Sequence, residues 1–162
     1  MAELTTLDEK IGEVLGLAMA AQGATEKVMK LVEDEELVRK LQQMHDEAAE
    51  VEERCTALAD TFNGKKTAIL EKARETKQEA VEMMTTYLGE APDGLDGFEF
   101  LTMAEAGEVG HWSVVAKMNE KARDSGIQEV ADWALPLQQR HFETVLEGSL
   151  KLAAEEDPSE PA

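Results

Sequence analysis

TAILEKARETKQEAVEMMTTYL, residues 67–88, is the stretch on which the fold turns. Ile69, Ala73, Thr76, Ala80, Met83 and Tyr87 recur in alternating four- and three-residue steps, the spacing of one face of an α-helix. That face is weak and built partly of small side chains, which suits a helix lying in a groove outside a bundle better than one at its centre. Its span of about 33 Å, at 1.5 Å per residue, nearly matches its neighbours. It can therefore carry the chain back along the whole length of a bundle.

The flanking sequence supplies that bundle. Upstream, Thr6-Leu-Asp-Glu9 reads as a capping box. Ile11, Leu15, Ala18, Gln22, Thr25, Met29 and Val32 then predict one long amphipathic helix over about 7–32. The acidic run Glu33–Glu36 marks a turn and a favourable negative helix start. Leu37, Leu41, Met44, Ala48, Val51, Cys55, Leu58 and Phe62 form a clean heptad over about 35–62, stopped by Asn63-Gly64.

Downstream, Gly89–Gly94 is the clearest loop, and Asp96 with Glu99 is the expected cap of a fourth helix over about 97–122. Its stripe is drawn through Leu101, Ala104, Glu108, His111, Val115 and Met118. Asp124-Ser-Gly126 breaks it. A fifth helix over about 127–153 carries Ala134, Gln138, His141, Val145 and Leu152, and Pro136 is expected to kink or restart it. The acidic end, 155–162, reads as a disordered tail.

With four short connections, successive helices run antiparallel. If 67–88 is an outer crossover, the other four run up, down, down, up: an all-α, single-domain four-helix bundle of ferritin-like arrangement with one additional helix. A plain five-helix up-and-down bundle uses the same elements.

Composition narrows the function. With 35 acidic against 16 basic residues and a net charge of −19, the chain is a poor binder of nucleic-acid phosphates, which need clustered Lys and Arg. No leader and no apolar run of membrane-spanning length is seen, so a cytoplasmic protein away from membranes is expected. Cys55 lies on an apolar stripe and reads as a small core residue. Trp112 and Trp133 read as core anchors, and Glu9, Glu13 and Glu50–Glu53 as solvated faces. No phosphate-binding Gly-rich loop, Cys-x-x-Cys pair or activated nucleophile appears.

The chemistry-bearing residues are few. AEAGEVGHW, residues 104–112, holds Glu108-x-x-His111, and i, i+3 spacing lets a carboxylate and an imidazole converge from one helix. LQQMH at 41–45 recurs as LQQRH at 137–141, in the second helix of each half. His45 and His141 thus lie on facing helices, able to join Glu108 and His111 around an ion. The other reading is a buried layer in which Gln22, Glu108, His111 and Gln138 satisfy one another and set helix register, since an unpartnered buried carboxylate is costly.

The helix order, the crossover and the segment Gly107–Ala153, with Glu108, His111 and Trp112, resemble the ferritin-like superfamily. Within it the chain is most similar to the small bacterial stress-associated proteins of the YciF-like group. The resemblance implies a Glu on each of two helices and Glu-x-x-His on each of the other two. Those slots fall on Gln22 or Glu26, Gln42-x-x-His45, Glu108, and Gln138-x-x-His141. Gln stands where the pattern has Glu, with Glu52 as a further carboxylate, so a full di-iron oxidase is not expected.

Two functions follow as expectations. One is a stress-associated protein with a reduced or altered site for Fe, Zn or Mn, drawn from Glu108, His111, His141, His45, Glu26, Gln138 and Gln22, in metal or oxidant handling. The other is a non-catalytic interaction or protective protein, self-associating as a homodimer through exposed helix faces. A small-ligand or cofactor binder using the bundle interior is a third class.

Overall fold

Local signals set five helices, and the computed structural model, which describes residues 2–162, places them as α1 Thr6–Met29, α2 Glu35–Asp60, α3 Lys66–Leu88, α4 Gly94–Ala122 and α5 Ser125–Glu155. Among the described residues there is no strand. No described helix is long and apolar enough to cross a membrane. Residues 156–162 lie beyond α5, exposed and outside any helix.

The caps are real but shifted. The first capping box is Thr5 with Asp8, not Thr6 with Glu9: Thr5 Oγ1 accepts from the Asp8 amide at 3.1 Å and Asp8 Oδ2 from the Thr5 amide at 2.8 Å. Asp8 also accepts from Lys65 at 2.6 Å, tying the start of α1 to the α2–α3 connection. The cap of α4 is Asp93 with Asp96, three residues before the position expected. Asp93 competes better because Gly94 and Gly97 let this first turn pack against Leu31, Val32 and Val28 at the end of α1. Gly64 is left-handed, at φ +72°, but it lies in the connection and does not cap α2, which ends at Asp60 with Thr61 as a right-handed C-cap. Pro136 does not restart α5, which is assigned as one helix through it. Residues 132 and 136 are exposed, so water can meet the carbonyl that loses its donor.

Cross-helix pairs give the directions. Gln22–Glu52 and Glu26–His45 set α2 antiparallel to α1. Thr102–Ser149 and Asn119–Gln128 do the same for α4 and α5. Lys151–Asp34 and His141–Glu47 set α5 against α2. Asp8–Lys65 and the approach of Gly16 to Ala73 run α3 parallel to α1. α1 packs on α2, α3 and α4, and α5 on α4 and α2, while α3 lies chiefly along α1.

The core divides into two ends. One gathers Ile11, Leu15, Val51, Cys55, Trp112 and Val115; the other Val28, Leu41, Met44, Phe98, Leu101 and Val145. Trp112 is buried as expected, whereas Trp133 is only partly so and has Arg54 stacked 4.0 Å from its ring centre. In α3 the first half follows the expected face, burying Ile69 and Ala73. Its second half buries Met84 and Leu88 instead of Met83 and Tyr87, which are exposed. Met84 and Leu88 join Phe98, Phe100 and Leu101 in the apolar cluster at this end of the bundle.

Candidate metal centre

Between the two apolar ends lies a polar layer. Glu105 and Glu108 are one turn apart on α4, with 1% and 4% of their surfaces exposed; Gln138 and His141 face them from α5 at 2% each. The α4 stripe places them there. Leu101, Glu105, Glu108, Trp112, Val115 and Asn119 are all buried in 4-3-4-3-4 steps, so α4 turns its carboxylates inward together with its largest apolar side chain.

His141 stands between two carboxylates. Its Nε2 is 3.2 Å from Glu47 Oε1 of α2, and Glu47 also pairs with Arg140. Its Nδ1 lies 3.8 Å from Glu105 Oε2, beyond hydrogen-bond reach. With Glu47 as the acceptor, Nε2 carries the proton and Nδ1 keeps its lone pair on the Glu105 side. Glu105 Oε2 is buried with no hydrogen-bond partner among the described residues.

Electrostatics match this burial. Loss of water pushes the Glu105 carboxyl up to about 7, opposed by its hydrogen bond with Glu108. Burial raises Glu108 well above the usual carboxylate range, helped by the charge of Glu105 and the hydrogen bond to it and opposed by Gln138. Burial also pulls His141 below the ordinary imidazole value, against the pull of Glu47. Two carboxyls this close, without a cation, hold a proton between them near neutral pH.

The expected site residues are therefore only partly brought together. Glu108, Gln138 and His141 share the layer. His111 does not: its side chain is 43% exposed and lies 3.4 Å from Glu13 of α1, itself mostly covered rather than on a solvated face. Glu108 and His111 diverge because i and i+3 straddle the helix–helix seam here, with Trp112 taking the inward place. His45 sits on the flank, bonded to Glu26 at 2.9 Å and Asp46 at 3.2 Å. Gln22 donates to Glu52 and to its own helix at Ala18, and Gln42 is exposed and bonded to Asp46. α1 turns Thr25 inward instead, its hydroxyl donating to the Ala21 and Gln22 carbonyls.

Glu105 and Glu47 are the functional candidates that the sequence reading missed. Centring the α4 stripe on Trp112 would have found Glu105; Glu47 carries no such signal, lying one position off the α2 heptad. Among the described residues, no three His, Cys, Asp or Glu side chains are grouped closely enough to hold an ion as they stand. Nevertheless the donor set suits one. The 3.8 Å between Oε2 and Nδ1 is too long for a hydrogen bond, yet it is near the separation of about 3.4 Å for two ligands of one tetrahedral ion. No protein-family model, curated protein or solved structure matches the chain.

Proposed function

We propose that the chain is a ferritin-like bundle that binds one divalent transition-metal ion between α4 and α5, with a part in metal or oxidant handling. The observation that carries this reading is the free Glu105 Oε2, buried opposite His141 Nδ1 at 3.8 Å. Glu105, Glu108 and His141 would hold the ion, with the Gln138 amide oxygen as a neutral fourth donor. A modest turn of the two carboxylates is needed. Glu47 fits the outer partner that ligating histidines usually have, fixing the ring and its tautomer. Fe, Zn and Mn all accept such a mixed oxygen and nitrogen set.

Support for the bundle type comes from the helix neighbours: α1, α2, α5 and α4 form a ring, and α3 lies outside it along α1. That order suits a four-helix bundle with one long crossover. A single ion is favoured over a pair, because Gln22, Glu26 and His45 are committed to partners on the flank.

The test is elemental analysis after expression with Fe, Zn and Mn supplements. About one equivalent of metal, lost in His141→Ala and Glu105→Gln, supports the reading; metal-free wild-type protein refutes it.

A second reading is favoured by the hydrogen bonds that Glu108 shares with Glu105 and Gln138. In it the layer is a proton-sharing latch that fixes register in a non-catalytic interaction protein. It predicts no metal and no loss of stability on chelation.

A further inference from the structure

The two buried carboxyls can be approached from a second direction. A cleft of about 220 Å³ opens between α1, α3 and α4, and Glu105 and Glu108 both line it. Small side chains make the space: Ala20, Ala21 and Ala24 on α1 face Ala80 on α3 and Ala104 on α4. The rim is apolar and exposed, with Val81, Met83 and Met103 at 38%, 62% and 47%. Among the described residues no Lys or Arg lines the cleft, and His111 is part of its lining. The cleft is therefore greasy on its walls, with two carboxyl residues, Glu105 and Glu108, in its lining.

We propose that this cleft binds a small apolar molecule ending in a primary ammonium group, its chain against the alanine walls and its cationic head on Glu105 and Glu108. An ammonium supplies hydrogen-bond donors and a positive charge to the carboxyl pair. An apolar cavity of about 150 Å³ accepts benzene, so this one takes roughly nine heavy atoms. A carboxylate of the same length is repelled, and an alcohol brings a donor without the charge.

The inference shares its carboxyls with the metal reading but does not need a metal to be bound. Octylamine and an ion would compete for the same two groups, and the two proposals fail separately.

The experiment is calorimetric titration of chelator-treated protein, at 150 mM salt, with octylamine, 1-octanol and octanoate. Expected is saturable binding of one octylamine, about ten-fold or more tighter than octanol, with no binding of octanoate. Glu105→Gln should weaken octylamine about ten-fold or more. Ala80→Leu, which fills the cleft from α3 away from the carboxyls, should abolish octylamine binding and leave zinc binding intact. Equal affinity for amine and alcohol would overturn the ammonium assignment. Amine binding untouched by both substitutions would place it on the acidic surface and overturn the site. Zinc binding without amine binding sinks this inference and spares the metal reading; amine binding without zinc does the reverse.

Discussion

His141 Nδ1 and Glu105 Oε2 face each other at 3.8 Å across the α4–α5 seam, both buried, with no hydrogen bond between them. The opposite nitrogen of His141 is held by Glu47 at 3.2 Å. The ring is thus oriented from outside while its inner face and the facing carboxylate lack a direct partner in each other. A cation placed between them would satisfy both, and the arrangement separates the residues that should matter for binding from those that should not.

His141→Ala and Glu105→Gln should each lower zinc affinity about 100-fold or more, since each removes a direct donor. Glu47→Gln should cost about 10- to 100-fold through loss of ring orientation. His111→Ala and His45→Ala, on the flank, should change affinity less than about three-fold. Competition titration against a chromogenic chelator measures all five.

Proton linkage gives a second expectation. Glu105 and Glu108 have folded-state pKa values raised by burial, so above the unfolded value near 4.5 the native state holds more protons than the unfolded chain. Stability of metal-free protein therefore falls as pH rises above about 5, the Glu105 share being lost by about pH 7. For Glu105 the displacement to about 7 is worth about 3 kcal/mol, each factor of ten counting about 1.4 kcal/mol. His141, lowered by burial, acts oppositely, removing stability as pH falls below about 6.5. Urea midpoints from pH 5 to 8 should show the decline in wild type and its loss in the Glu105→Gln, Glu108→Gln double variant. Metal affinity, which needs the carboxylates ionised, should rise over the same interval.

Gly148 tests the packing of α5 on α4. A Cβ there would lie 2.3 Å from Phe98 Cε1, and Phe98 is fully buried. Gly148→Ala gains helix propensity but must displace a ring in the core, and a net loss of about 1–3 kcal/mol is expected in chemical denaturation. Gly23→Ala, with open space around it, should instead gain about 0.5–1 kcal/mol.

Arg123 ends α4 in the left-handed region, φ 54° and ψ 35°. Side chains other than glycine and asparagine are strained there, so Arg123→Gly should stabilise by about 1 kcal/mol. Asn119, buried beside it, donates to the Asp124 carbonyl at 3.0 Å and accepts from the Asp124 amide at 3.1 Å. Asn119→Ala should cost about 1–3 kcal/mol by leaving those buried groups unmade. Thermal melts of the two variants, moving in opposite directions, check the turn.

Much of the fold was legible because α2 repeats its apolar residues without interruption, and Leu37 through Leu58 are buried as read. α5 was equally plain, with Ala134, Gln138, His141 and Val145 on the inward face. The site was half legible. On α4, Leu101 and Val115 are common to two stripes, one through His111 and one through Trp112. The reading took the first; burial of the larger apolar ring decided for the second, bringing Glu105 in and leaving His111 on the flank. Glu47 was hidden because its role depends on where α5 crosses α2, which periodicity along one helix does not encode. The ends of α1 and α4 were misplaced by capping residues that compete within a few positions, where tertiary contact chooses.

The central claim is that one ion sits between Glu105, Glu108 and His141. Anomalous diffraction at the zinc edge from crystals grown with zinc tests it most directly. The account predicts one strong peak within bonding distance of Glu105 Oε2 and His141 Nδ1. An empty layer, or peaks confined to His45 with Glu26 or His111 with Glu13, would contradict it.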